Sequence, residues 1–156
     1  MKNLLISLSF LLLSGGAFAA TTAAPATTQP KIDGLWEASY DASKTPSSHV
    51  RITTQSNGEL VGVIEQAYPR PGETPSPNCT KCKGANKDKP IVGMKIVWGM
   101  KPDGKNVWDG GYVLDPETGK QYTGKITLAD SGNELDLRGY VLTPMFGETA
   151  TWKRIQ

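Results

Sequence analysis

Two cysteines three positions apart, Cys79 and Cys82, are the residues best placed to do chemistry in this 156-residue chain. A C-x-x-C pair can exchange thiols for a disulfide when a helix N-terminus or a nearby cation lowers the pKa of one sulfur. Here Pro75, Pro77 and Asn78 precede the pair, Lys83, Gly84 and Asn86 follow it, and no β-α-β pattern surrounds it. The setting of a redox helix is therefore missing. Two thiolates are also half of a tetrahedral zinc site, but the single histidine, His49, falls on a distant strand. A structural disulfide pinning a long loop asks least of the sequence, although so small a ring constrains the unfolded chain only slightly. Neither a metal nor a cofactor is expected.

The same loop carries Lys81, Lys83, Lys87 and Lys89, with Asp88 opposing them. That cluster reads either as an anion site, for instance for phosphate headgroups at an envelope surface, or as a loop kept solvated by charge. Across the chain, 17 Lys and Arg face 15 Asp and Glu, a net charge of +2. Such a balance excludes nucleic acid as the main partner. His49 has no placed acid or nucleophile beside it, and no phosphate-cradling glycine loop, EF-hand or H-E-x-x-H is present. The chain is not read as an enzyme; a thiol–disulfide activity at the cysteine pair is the catalytic alternative. Asp109, Asp136, Arg138 and Glu65 are charges within strands, and any that point inward must find a partner.

A different chemistry is suggested by the apolar residues. Alternation places Met94, Ile96, Trp98 and Met100 on one face of a strand, Trp108, Gly110, Tyr112 and Leu114 on one face of the next, and Tyr122, Gly124, Ile126 and Leu128 on one face of a third. Met94, Trp98, Trp108, Tyr112 and Tyr122 are thus candidates to line a cavity for a small apolar or amphipathic ligand, with glycines leaving room for it. A filled core would use the same residues.

These residues must be positioned by strands, since strands dominate the whole C-terminal part. Period-two runs cover 35–40, 48–55, 59–67, 91–100, 106–114, 120–128, 134–142 and 148–155. Asn57-Gly58 is a strong hairpin signal, Lys101-Pro102-Asp103-Gly104 and Asp115-Pro116-Glu117-Thr118-Gly119 are turns, and Asp130-Ser131-Gly132-Asn133 is another. Only 68–90, with five prolines, is a long loop. Hairpin connections make sequential antiparallel neighbours, and a sheet this wide removes its edges by closing. The expectation is an all-β fold, a small antiparallel up-and-down barrel of about eight strands over residues 31–156.

Ahead of it, 1–19 reads as a signal peptide. Lys2 is the positive start, 4–13 is apolar apart from Ser7 and Ser9, and Ala17-Phe18-Ala19 fits the small-x-small cleavage pattern. The apolar run is shorter than the ~20 residues that cross a bilayer, so no transmembrane segment is expected. Cleavage near Ala19 would deliver the mature chain to the periplasm or outside, with residues 20–30, rich in Thr, Ala and Pro, as a flexible leader.

Gly34-Leu35-Trp36 near the start of the domain and Trp152-Lys153-Arg154 at its end resemble the calycin pattern of lipocalins. There a basic side chain from the last strand lies over the indole of the first, which makes Trp36 and Arg154 a barrel-closure pair. A fuller resemblance, to domain-of-unknown-function family 2147 of exported bacterial proteins, rests on Gly34-Leu35-Trp36, Cys79-Thr80-Lys81-Cys82-Lys83-Gly84 and Trp108-Asp109-Gly110-Gly111. It continues through Asp115-Pro116-Glu117-Thr118-Gly119-Lys120-Gln121-Tyr122, Leu137-Arg138-Gly139-Tyr140 and Thr151-Trp152-Lys153-Arg154. It implies a small exported β-barrel and carries no catalytic residues. A periplasmic lipocalin-type binding module is the leading expectation, and a structural or interaction protein with an envelope protein as partner is its rival.

Overall fold

The computed structural model describes residues 30–39, 44–74 and 76–156. The expected signal peptide, most of the leader and Tyr40 lie outside the described residues. Eight strands run in chain order: β1 (Gly34–Ser39), β2 (Pro46–Thr54), β3 (Leu60–Ala67), β4 (Lys95–Pro102), β5 (Val107–Asp115), β6 (Lys120–Leu128), β7 (Glu134–Tyr140) and β8 (Gly147–Arg154). Each pairs antiparallel with the next, and β1 returns to β8 to close the barrel. Among the described residues, helix is confined to two 3-10 turns, Gly84–Asn86 and Pro144–Phe146. No described helix is long and apolar enough to cross a membrane.

Alternation sets the inner face over most of the sheet. Trp36 and Ala38 of β1, Val50 and Ile52 of β2, Leu60 and Ile64 of β3, Ile126 and Leu128 of β6, Leu135 and Leu137 of β7 and Trp152 of β8 are all buried. Strands β4 and β5 break that rhythm. Three steps along β4, from Val97 to Met100, oppose two along β3, and three along β5, from Trp108 to Gly111, oppose two along β6. The extra residues coincide with Gly99 (φ 69°) and Gly110 (φ 74°), a backbone shape that glycine adopts without penalty. Val97 and Met100 therefore both face inward with two residues between them.

Two expected strands are shorter than read. β4 starts at Lys95 because Gly93, at φ 87°, turns the chain before it. β7 ends at Tyr140, which leaves Val141 and Leu142 outside the sheet.

The long connection of residues 68–94 folds into a small structure of its own. Asn78 bridges Pro90, and Cys79 N–H donates to the Lys89 carbonyl at 2.8 Å. Cys79 and Cys82 form the expected disulfide, with both sulfur-bearing residues buried in the core cluster. This structure lies against the β5–β6 turn. Gly119, at φ 68°, comes so close to Lys81 that an added Cβ would stand 2.1 Å from its carbonyl oxygen, and Arg70 holds Glu117 through paired bonds of 2.9 and 2.8 Å.

Candidate ligand site

Because neighbouring strands run antiparallel, the barrel has two ends with different loops. One end is a floor. Trp36 is fully buried there, and its indole N–H donates to the Ile32 carbonyl at 3.0 Å. Its register partner on β8 is Arg154, whose guanidinium carbon lies 4.3 Å from the ring centroid. A cation held over an indole face gains from the ring quadrupole. The same guanidinium donates to the carbonyls of Gly132 at 2.6 Å, Asp33 at 2.8 Å and Gln156 at 3.4 Å, and also to that of Lys31. One side chain thus fastens the segment before β1, the β6–β7 turn and the end of the chain. Desolvation lowers the Arg154 pKa, with the nearby Asp33 opposing it.

Asp33 completes the floor. Its carboxylate accepts from Thr54 N–H at 2.6 Å and from the Thr54 hydroxyl at 2.8 Å. Partial burial opposes its ionisation, but those bonds and Lys31 outweigh it and hold the carboxyl below its ordinary pKa.

Above the floor the interior is packed. A Cβ on Gly124 would stand 2.3 Å from Met100 Cε and 2.6 Å from Val113 Cγ2. One on Gly111 would stand 2.4 Å from Met100 Cγ, and one on Gly62 2.9 Å from Val97 Cβ. These glycines make room for core side chains. Gly124, expected to leave space for a ligand, instead accommodates Met100.

Toward the other end the inward positions of β1, β2, β7 and β8 become small. Ala38 and its register partner Ser48, Ala150 opposite Leu137, and Gly139 opposite Gly124 follow the large residues on their strands. A Cβ on Gly139 would make ordinary contact with Tyr122, at 3.4 Å. Ala38 and Ser48 are buried, while Ala150, Gly139 and Tyr122 are partly exposed. This end is the mouth. The loops between β1 and β2, β3 and β4, β5 and β6, and β7 and β8 surround it. A shallow groove of about 290 Å³ lies on the β3–β4 connection, where Lys89 and Lys95 flank Val92 and Met94.

The five expected cavity residues are not brought together. Met94 is buried beside the β3–β4 seam, its carbonyl accepting from Ile64 N–H at 3.0 Å. Tyr122 faces inward near the mouth. Trp108 faces inward beside Ile126, its register partner, at the floor end. Trp98 and Tyr112 are register partners on the outer face, with ring centroids 5.7 Å apart and Tyr112 44% exposed. Two register shifts cause the difference, because one extra residue reverses which side every later side chain faces. For Trp98 it is the two steps from Lys95 to Val97 that oppose one along β3 and leave both Ile96 and Val97 buried. For Tyr112 it is the bulge at Gly110.

The charged residues also lie outside the interior. Arg51 grips Glu65 at 2.9 and 3.1 Å in the open. Asp109 accepts from Gly110 N–H at 2.6 Å and Tyr140 hydroxyl at 3.0 Å, and stands 3.3 Å from Lys125 Nζ. Burial acts against its charge, yet these partners leave its pKa lowered. The Tyr140 hydroxyl, desolvated and bound to that carboxylate, is raised. His49 meets the Tyr68 ring edge-on at 5.1 Å, with Glu37 3.8 Å from its Nε2. Among the described residues no three His, Cys, Asp or Glu side chains gather as a metal site would require. Sequence reading missed Ala38, Ser48, Gly139 and Ala150; the available signal was their small size two positions from a large inward residue.

The pieces that fasten the barrel, from Gly34 to Arg154, coincide with a family model described as an uncharacterized protein conserved in bacteria, DUF2147, which matches residues 34–154. The chain belongs to the DUF2147 family. The Helicobacter pylori protein HP1028, described as belonging to the lipocalin family, has a similar structure. It is 17% identical, with a TM-score of 0.67 over 81% of this chain and 84% of that one. At this identity the likeness shows the fold: the DUF2147 barrel is lipocalin-like. No curated protein matches the chain.

Proposed function

We propose that this DUF2147 protein is an exported, non-catalytic module that takes a small amphipathic molecule at the mouth of its barrel. The observation that carries the reading is the change in side-chain size along the interior, from Trp36, Met100 and Trp152 to Ala38, Ser48, Gly139 and Ala150. A closed barrel of eight strands has room for one small ligand only where its side chains leave it. The ligand's apolar part would enter above Tyr122. The groove beside the mouth, with Lys89 and Lys95 around Val92 and Met94, favours an anionic head over an uncharged one. The lipocalin-like fold supports the same reading. Export is supported by the pattern of residues 1–19 and by a buried disulfide, which suits an oxidising compartment. Burial also argues against thiol exchange, which needs access to a sulfur.

Displacement of a fluorescent fatty acid tests the proposal. The wild type should bind the probe, and Gly139→Leu combined with Ala150→Leu should weaken binding by at least about tenfold, while circular dichroism shows an intact barrel. Absence of probe binding by the wild type, or equal binding by the filled variant, would refute it.

A further inference from the structure

The β7–β8 loop holds most of its apolar side chains outside the barrel. Residues 141–146 contain no charge, and four of the six are exposed apolar side chains: Val141 at 57%, Leu142 at 92%, Met145 at 81% and Phe146 at 74%. Soluble surfaces carry scattered apolar residues, but a run of them on one protruding loop marks an interaction site. The loop is also shaped. Thr143 N–H donates to the Val141 carbonyl at 2.9 Å, Phe146 N–H donates to the Thr143 carbonyl at 3.1 Å, and Pro144–Phe146 forms a 3-10 turn. Leu142 sits at φ 71°, a left-handed backbone that disfavours a side chain with a Cβ. It accepts that conformation while burying almost nothing within its own chain.

The loop shares its end of the barrel with the lysines of the β3–β4 connection. Lys81, Lys83, Lys89 and Lys95 are exposed and make no ion pair among the described residues. Lys44 and Lys120 stand on the same end. Among the described residues, the acidic groups of its loops and strand ends are Glu73, Asp88, Asp115, Glu117 and Glu148. Asp88 is 3.3 Å from Lys87, Glu117 is held by Arg70, and Asp115 accepts from Glu117 N–H and the Thr118 hydroxyl within its own turn.

We propose that this end of the barrel docks on an anionic lipid surface, with Leu142, Met145 and Phe146 entering the headgroup–acyl boundary and the lysines meeting lipid phosphates. Interfacial binding needs only a few inserted apolar side chains with cationic support. A protein partner would demand an area on the order of 800 Å² per side, and such interfaces are depleted in lysine. A narrow apolar tip beside lysines matches the first and not the second. Docking on lipid shares Lys89 and Lys95 with the proposed ligand site but is tested apart from it, because ligand binding is read without vesicles.

Vesicle co-sedimentation decides it. The chain beginning at Ala20 keeps the whole described barrel and removes the apolar run 4–13. It should sediment with vesicles of phosphatidylglycerol and phosphatidylcholine about tenfold more than with phosphatidylcholine alone, and should be released by salt at about 1 M. Leu142→Ser with Phe146→Ser should abolish binding. Lys81→Gln, Lys83→Gln and Lys89→Gln together should remove the preference for the anionic lipid. Both variants change exposed side chains, so an unchanged melting temperature confirms folding. No vesicle binding by the wild type, equal binding by the serine variant, or capture of a soluble protein in place of vesicles would overturn the proposal.

Discussion

The two ends of this barrel solve opposite problems. At the floor, every large group has a partner: the Trp36 indole bonds to Ile32, Arg154 serves four backbone carbonyls and Asp33 holds Thr54. At the mouth, inward residues of β1, β2, β7 and β8 are small, and Leu142, Met145 and Phe146 stand in solvent. The difference teaches that stability and interaction are separated along one axis. A side chain buried with its polar atoms satisfied cannot be removed without leaving a void or an orphaned group. A side chain already in water can be changed at little cost, which frees the mouth to vary.

The separation can be broken most decisively at Trp36. Trp36→Ala should lower unfolding free energy by about 3–5 kcal/mol, the usual loss for a buried indole. A denaturant midpoint consistent with less than about 1 kcal/mol would show that the floor does not anchor the barrel. Arg154→Met comes next, at about 2 kcal/mol, because the methionine leaves carbonyls unpaired. Arg154→Lys should recover only part of it, since one ammonium cannot reproduce a fork of donors. Full recovery in urea unfolding would reduce Arg154 to a point charge.

Acidity sharpens the contrast further. The Asp33 carboxyl has a folded pKa below its unfolded value, so its stabilisation is complete above the ordinary carboxylate range and fades as pH falls through the lowered folded value. Asp33→Asn should therefore flatten the acid limb of a stability profile, from the ordinary carboxylate range downward, and change little else in its shape. An unaltered slope would assign that limb to other groups, Asp109 first among them, whose pKa is lowered in the same direction. The smallest effect belongs to the mouth. Leu142→Gly should shift stability by less than about 0.5 kcal/mol, toward stabilisation, because relief of left-handed strain offsets the added freedom of glycine. Loss of more than about 1 kcal/mol in thermal unfolding would mean the loop supports the fold after all.

Much of the barrel was legible because period-two alternation and turn residues act locally. Val50 and Ile52 before Asn57-Gly58, and Ile126 and Leu128 before Asp130-Ser131-Gly132-Asn133, announced both the strands and their inner faces. The pairing of Trp36 with Arg154 was implied by the resemblance of the domain's two ends to the calycin pattern. The cavity residues were less legible, since an extra residue at Ile96–Val97 reverses the face of Trp98 and one at Gly110 reverses that of Tyr112. A glycine inside a strand pattern hints at a bulge, but whether it forms one depends on the neighbouring strand. The 141–146 loop was hidden for another reason: Val141 kept phase with Leu135 and Leu137, and an apolar residue in phase is read as buried.

The seam between β1 and β8 has a directional consequence. The chain enters the barrel at Gly34 and leaves it at Arg154, two places fastened to each other at the same pole. A tether, tag or fused domain joined directly after Gln156 departs from that pole. An immobilised copy attached by its last residue would present Phe146 outward, so surface-coupled measurements can reach the loop without redesigning the molecule.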